Sequence, residues 1–222
     1  MSISLGVYEF FSYILPGILY LYVFNEFIRL VNLPNLDLSQ LNNVTAVFLL
    51  CIAYLTGQIM NAVSDFLWRR LGKKELRLQN IPDRSLARIR RKFPKLKVDF
   101  AKDDWDFLLN RLRQDEPELT SRLERFEALS LMLRNTSLSL YGLSLIHIGL
   151  LFKSQNPLFL ITTLILVVLG LLSSRRAKSF AIWFYNGVYS ESLRFGKNAQ
   201  DVLLHNANSK KQASTNRRKV NE

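Results

Sequence analysis

Residues 135–152, NTSLSLYGLSLIHIGLLF, carry no Lys, Arg, Asp or Glu. At about 1.5 Å rise per residue, a helix of this length crosses a bilayer. The run follows directly on a charged stretch, LTSRLERFEALSLMLR, in which Leu119, Leu123, Phe126, Leu129 and Leu133 recur at three- and four-residue spacing. That spacing is the signature of an amphipathic helix. No Pro or Gly separates the two halves before Gly142. One continuous helix that leaves water and enters lipid is therefore expected over 119–152, and the remaining chain must pack around it.

Three further apolar runs, 10–24, 44–63 and 157–172, approach the roughly 20 residues a spanning helix needs. A mean hydropathy near zero conceals this segregation of apolar and charged stretches. The reading is an all-α chain: a four-helix transmembrane bundle with a cytoplasmic helical insertion between spans two and three. The N-terminal run lacks a basic leader and a small-residue cleavage site, so it reads as a retained span. The expected parts are a first transmembrane hairpin (1–68), a basic cytoplasmic segment (69–127), a second hairpin (128–176), an aromatic interfacial helix (177–195) and a mobile basic tail (196–222).

The net charge of +12 is unevenly placed. Residues 69–125 hold seventeen Lys and Arg against ten acids, and 174–222 hold ten against three, whereas the link 32–43 has no basic residue. By the positive-inside rule both termini and the central segment are expected to face the cytoplasm. Arg88, Arg90, Arg91, Lys92, Lys95 and Lys97, with Arg175 and Arg176 after the last span, form the basic surface. Each such residue near anionic headgroups adds about 1 kcal/mol of attraction. A solvated, topology-setting face is the plainer reading, a cytoplasmic protein partner is another, and nucleic acid ranks last because Asp103, Asp104 and Asp106 dilute the field.

Polar residues inside spans are the candidate functional positions, since lipid cannot satisfy them. On the second span Tyr54, Gln58, Asn61 and Asp65 fall at spacings of four, three and four, hence on one helix face. Ser137, Tyr141 and Ser144 are the matching polar positions of the third span. Inter-helix hydrogen bonding is the plain account; the lining of a conducting path is the sharper one. Arg134, at the entry to the third span, lies at the depth of Asp65 and Glu9, so an ion pair with either is expected to fix the bundle. Pro16-Gly17 predicts a kink in the first span, Tyr20, Tyr22 and Arg29 suit its far interface, and Cys51 reads as a small packing residue. His147 reads as a hydrogen-bonded packing residue of the third span rather than a proton relay.

No catalytic constellation is legible. One cysteine and two separated histidines, His147 and His205, do not make a metal set, and no phosphate-binding loop or nucleophile elbow occurs. No cofactor or enzymatic activity is expected.

The segments SYILPG, YLTGQIMNAVSD and RFEALSLMLRNTSLSL resemble those of a set of bacterial four-span membrane proteins, several of them encoded near anti-phage defence genes. Gly57-Gln58 stands at the glycine-polar pair of that set and Arg134-Asn135 at its arginine-asparagine pair, with Gln58 replacing a histidine. The resemblance implies a membrane effector or membrane subunit of a defence-type system. Taken with the polar face, it leads to the expectation of a homo-oligomer that perturbs the membrane or conducts ions when its cytoplasmic part is engaged. A non-conducting scaffold or sensor is the alternative.

Overall fold

The computed structural model describes residues 3–33, 43–71, 81–92 and 101–193, with side chains of the first helix from Phe10 onward. The described residues form six α-helices: α1 Ile3–Leu30, α2 Asn43–Leu71, α3 Ile81–Lys92, α4 Trp105–Asp115, α5 Pro117–Ser154 and α6 Leu158–Ser192. A single 3-10 turn, Lys102–Asp104, precedes α4, and no strand occurs among the described residues. Four helices (α1, α2, α5 and α6) are long and apolar enough to cross a membrane. The chain is thus all-helical and of membrane-spanning character.

Two compact units divide the chain. The first comprises Met1–Leu78 and Glu124–Ala181; the second, Gln79–Leu123 and Ile182–Glu222. In the first unit α1 and α2 meet backbone to backbone. A methyl group on Gly17 would collide with the Ala53 carbonyl, and one on Gly57 with the Tyr13 carbonyl. Tyr13 and Gly17 are one turn apart on α1, as are Ala53 and Gly57 on α2, so each helix places a glycine opposite the other's carbonyl. Small residues at a crossing are how spans gain close van der Waals contact without a hydrophobic drive between them. Helix α1 runs unbroken through Pro16, which is fully buried beside Gly17. Close packing accounts for this Pro-Gly pair.

The ends of the spans are capped by local chemistry. Asn32 adopts φ 62°, and the amides of Asn32 and Leu33 turn back onto the Arg29 and Ile28 carbonyls at 3.2 and 3.1 Å. This is a Schellman closure with asparagine at the left-handed position. Lys153 Nζ donates to the Leu30 carbonyl at 3.0 Å and also to Asn32 Oδ1, bringing a cation to the negative end of α1. Gln155, at φ 52°, closes α5 by donating to the Leu151 carbonyl at 2.8 Å. Asn156 Oδ1 then accepts from the Leu158 amide at 3.0 Å and starts α6, with Pro157 in the favoured first position.

The second unit has its own core. Helix α3 buries Ile81, Leu86 and Ile89, and α4 buries Leu108, Leu109 and Leu112. Phe184, Val188 and Tyr189 are buried with them, and Trp105 packs edge-on to both Phe184 and Tyr185 at 5.8 Å. Leu123 Cδ2 fills the space left by the missing side chain of Gly187.

Four readings of the sequence change in the structure. The aromatic stretch after residue 177 is the last part of α6 rather than a helix of its own, with Phe184 and Tyr189 buried and Trp183 exposed. The sequence offers Asp83 as the cap of a basic helix over 84–93; α3 instead begins at Ile81, so Asp83 sits in its first turn, because Pro82 already suits the start of a helix. Tyr20 is buried rather than interfacial, and Cys51 is exposed rather than packed. The tail 196–222 lies outside the described residues.

Candidate functional site

Helix α5 has the largest buried share of the four spans, 39% against 33%, 11% and 17% for α1, α2 and α6. Its polar residues face inward to three neighbours, and the cluster around Arg134 and Asn135 is the centre of that pattern. Arg134 Nη2 donates to Asn61 Oδ1 at 2.8 Å, and Arg134 Nη1 lies 3.3 Å from Asp65 Oδ1. Asn135 Nδ2 donates to the same Asn61 Oδ1 at 3.1 Å. Tyr20 of α1 donates its hydroxyl to the Asn135 backbone carbonyl at 3.1 Å. Asn61 and Asp65 are one turn apart on α2, while Arg134 and Asn135 are consecutive on α5. The four side chains can therefore meet where these two helices cross.

The Arg134 side chain is only 8% exposed and Asp65 is 36% exposed. Moving a guanidinium out of water costs several kcal/mol unless a carboxylate and hydrogen-bond acceptors replace the solvent. Asn61 supplies one acceptor and Asp65 the counter-charge. Asn135 is fully buried, and its Oδ1 accepts no hydrogen bond from the described residues. The cluster is a charged clamp joining α1, α2 and α5.

Other polar side chains of α5 tie it to α6. Ser130 Oγ donates to the Ala177 carbonyl at 2.9 Å, Tyr141 and Ser174 hydroxyls meet at 3.3 Å, and His147 Nδ1 lies 2.8 Å from Thr162 Oγ1. Gly170 gives the Tyr141 ring its room, with Cε1 2.7 Å from where a methyl would stand. Phe159 covers the His147 ring edge-on at 5.6 Å.

The expected polar face is thus divided. Asn61 and Asp65 meet α5, but Tyr54 and Gln58 do not. Gln58 Nε2 donates to Tyr54 Oη at 3.0 Å on an exposed surface, and the Tyr54 ring stacks on Phe10 and meets Tyr13 edge-on. Ser137 and Ser144 donate to carbonyls of their own helix, those of Arg134 and Tyr141, at 2.7 Å each. Periodicity along one helix groups residues by face; it carries no information on where a second helix crosses that face. Tyr20 and Asn135 belong to the clamp yet were not singled out as site residues. The available signal was a buried-type polar pair, Arg-Asn, entering a span opposite a tyrosine-bearing one. The Glu9 side chain lies outside the described residues.

On α3, Arg88, Arg90, Arg91 and Lys92 are exposed, opposite the buried Ile81, Leu86 and Ile89. Lys95 and Lys97 lie outside the described residues. Arg175 and Arg176 are exposed on α6, the latter with its guanidinium 4.7 Å from the Phe180 ring centre. Among the described residues no group of three metal-ligating side chains is found. Comparison with protein-family models, curated proteins and solved structures yields no match for this chain.

Proposed function

We propose that this chain is a multi-span effector of the bacterial inner membrane, with both termini cytoplasmic. In this reading it acts as a homo-oligomer and perturbs or permeabilises the bilayer when its cytoplasmic part is engaged. The observation that carries the reading is the Arg134 clamp. Arg134, Asp65, Asn61 and Asn135 hydrogen-bond to one another across α2 and α5, and Tyr20 of α1 donates to the Asn135 carbonyl. That arrangement is a closed state. Any motion that separates α5 from α2 leaves a guanidinium, a carboxylate and amides facing the gap, and these draw water in. Engagement outside the membrane needs only to favour the separated arrangement over the clamped one. The resemblance to membrane proteins encoded near defence genes gives the setting, an anti-phage response in which leakage follows a trigger.

The non-conducting scaffold is favoured by a different observation: Ser137, Tyr141 and Ser144 direct their hydroxyls to partners within the chain. Membrane potential decides between the two. Cells expressing the unmodified chain should hold their potential, while cells expressing Asp65→Asn at equal level should depolarise and admit a membrane-impermeant dye. Full potential in the variant, with the protein at normal level in the membrane, rejects the effector reading in favour of the scaffold.

A further inference from the structure

Among the spans α2 is the least covered, with 11% of its most apolar 18-residue stretch buried. Its exposed residues include Phe48, Cys51, Leu55, Gln58 and Ala62, at spacings of three, four, three and four. This is the repeat of a helix–helix seam. Exposed aliphatic residues on a span are at home in lipid, and the outward face of α6 shows that case: Leu160, Ile161, Leu164, Ile165, Val168 and Leu169 carry no polar group. Helix α2 differs by one residue. Gln58 lies at the middle of the span Thr45–Leu67, where hydrocarbon offers no hydrogen bond. A glutamine amide has two N–H donors and two acceptor positions, and here one N–H goes to Tyr54 Oη at 3.0 Å. Tyr54 is held by Phe10 and Tyr13 and keeps its hydroxyl on the same side as Gln58.

We propose that α2 is the pairing face of the protein, and that its occupant is α2 of a second copy related by a twofold axis along the span. The amide selects that occupant. A primary amide carries donor and acceptor together, so two copies of Gln58 facing across a twofold exchange hydrogen bonds and satisfy one another. Cys51 and Ala62, the small residues on either side in the stripe, allow the two backbones to approach. Copies inserted in the same orientation run α2 against α2 in parallel, so equal residues near the axis face each other. This deepens the oligomer of the effector reading without depending on leakage.

Cys51 is the single cysteine of the chain and lies two turns from Gln58 on the same stripe, so the unmodified protein carries its own probe. Native membranes are oxidised with copper phenanthroline and resolved on non-reducing gels. A disulfide-linked band at twice the chain mass is expected, absent in Cys51→Ser. Gln58→Leu should lower the cross-linked fraction about threefold to tenfold, the span of one interhelical polar contact in lipid, and Gln58→Asn should restore part of it. Leu164→Cys in the Cys51→Ser background places an equally accessible thiol on the α6 face and should cross-link weakly. Cross-linking at Cys51 no stronger than at residue 164, or unchanged by Gln58→Leu, overturns the proposal, as does a cross-linked band whose mass fits a different protein. Because the readout is pairing, cross-linking at Cys51 beside a full membrane potential in cells expressing Asp65→Asn removes the effector reading and leaves the paired α2 face standing.

Discussion

At the residue scale the Arg134–Asp65 pair is asymmetric, and that asymmetry predicts which partner matters more. The guanidinium is almost completely enclosed, while more than a third of the carboxylate surface is open. Removing the carboxylate leaves an enclosed cation without its counter-charge, a loss of about 3–5 kcal/mol for a buried pair. Removing the cation leaves a carboxylate that its open side can solvate, and the loss falls to the about 1.5–3 kcal/mol of a charged hydrogen bond. Asp65→Leu is therefore expected to lower detergent-phase unfolding stability more than Arg134→Leu. The double replacement, which removes both charges, should recover part of the Asp65→Leu loss. Equal effects from the two single variants, or a double variant worse than either, would contradict this account of the clamp. The pairing itself was legible in the sequence, because the second span ends and the third begins at the same depth. The roles of Tyr20 and Asn135 were not. A tyrosine near a span end fits the membrane interface as readily as a core hydrogen bond, and what decides is the register of α1 against α5.

At the element scale, the α1–α2 crossing depends on two glycines that no side chain can replace. Adding a methyl to an ordinary helix glycine gains up to about 1 kcal/mol through propensity. At Gly17 and Gly57 the methyl meets a backbone carbonyl, which cannot rotate away, so the helices must part. Overpacking costs about 1–3 kcal/mol, and forcing the α1–α2 crossing apart belongs at the upper end. Gly17→Ala and Gly57→Ala should each lower the thermal midpoint in mild detergent. Gly142 provides the contrast: its nearest neighbour, Val23 Cγ1, is 3.5 Å from the added methyl, an ordinary contact. Gly142→Ala should leave the midpoint unchanged or raise it. A loss at residue 142 as large as at residue 17 would show that propensity or flexibility, not the crossing, sets these costs. Composition and periodicity reveal which runs span, because both are properties of a single helix. They leave Pro16-Gly17 readable as a hinge, since only the facing carbonyl of Ala53 shows that the glycine is occupied by packing.

At the scale of the whole molecule, helix length and bilayer thickness do not match, and the mismatch has a direction. The 38 residues of α5 and 35 of α6 correspond to about 57 and about 52 Å at 1.5 Å per residue. The hydrocarbon core is about 30 Å thick. Both helices overshoot it, and the surplus cannot be shared between the two sides. The link between them is only Gln155, Asn156 and Pro157, so the helices are antiparallel and their joined ends leave the membrane together. Apart from Lys153 at the joined end of α5, the charged residues cluster toward the opposite ends: Glu118, Arg122, Glu124, Arg125 and Glu127 on α5, and Arg175, Arg176 and Lys178 on α6. Under the proposed orientation both surpluses emerge on the side carrying the basic excess, which the positive-inside rule assigns to the cytoplasm. In a Cys51→Ser background, a single cysteine at Gln155 should react with a membrane-impermeant maleimide in intact spheroplasts. One at Gln114, exposed on α4, should react only after lysis. Labelling of residue 114 in intact spheroplasts would reverse the orientation, and labelling of both would require a different number of spans between them.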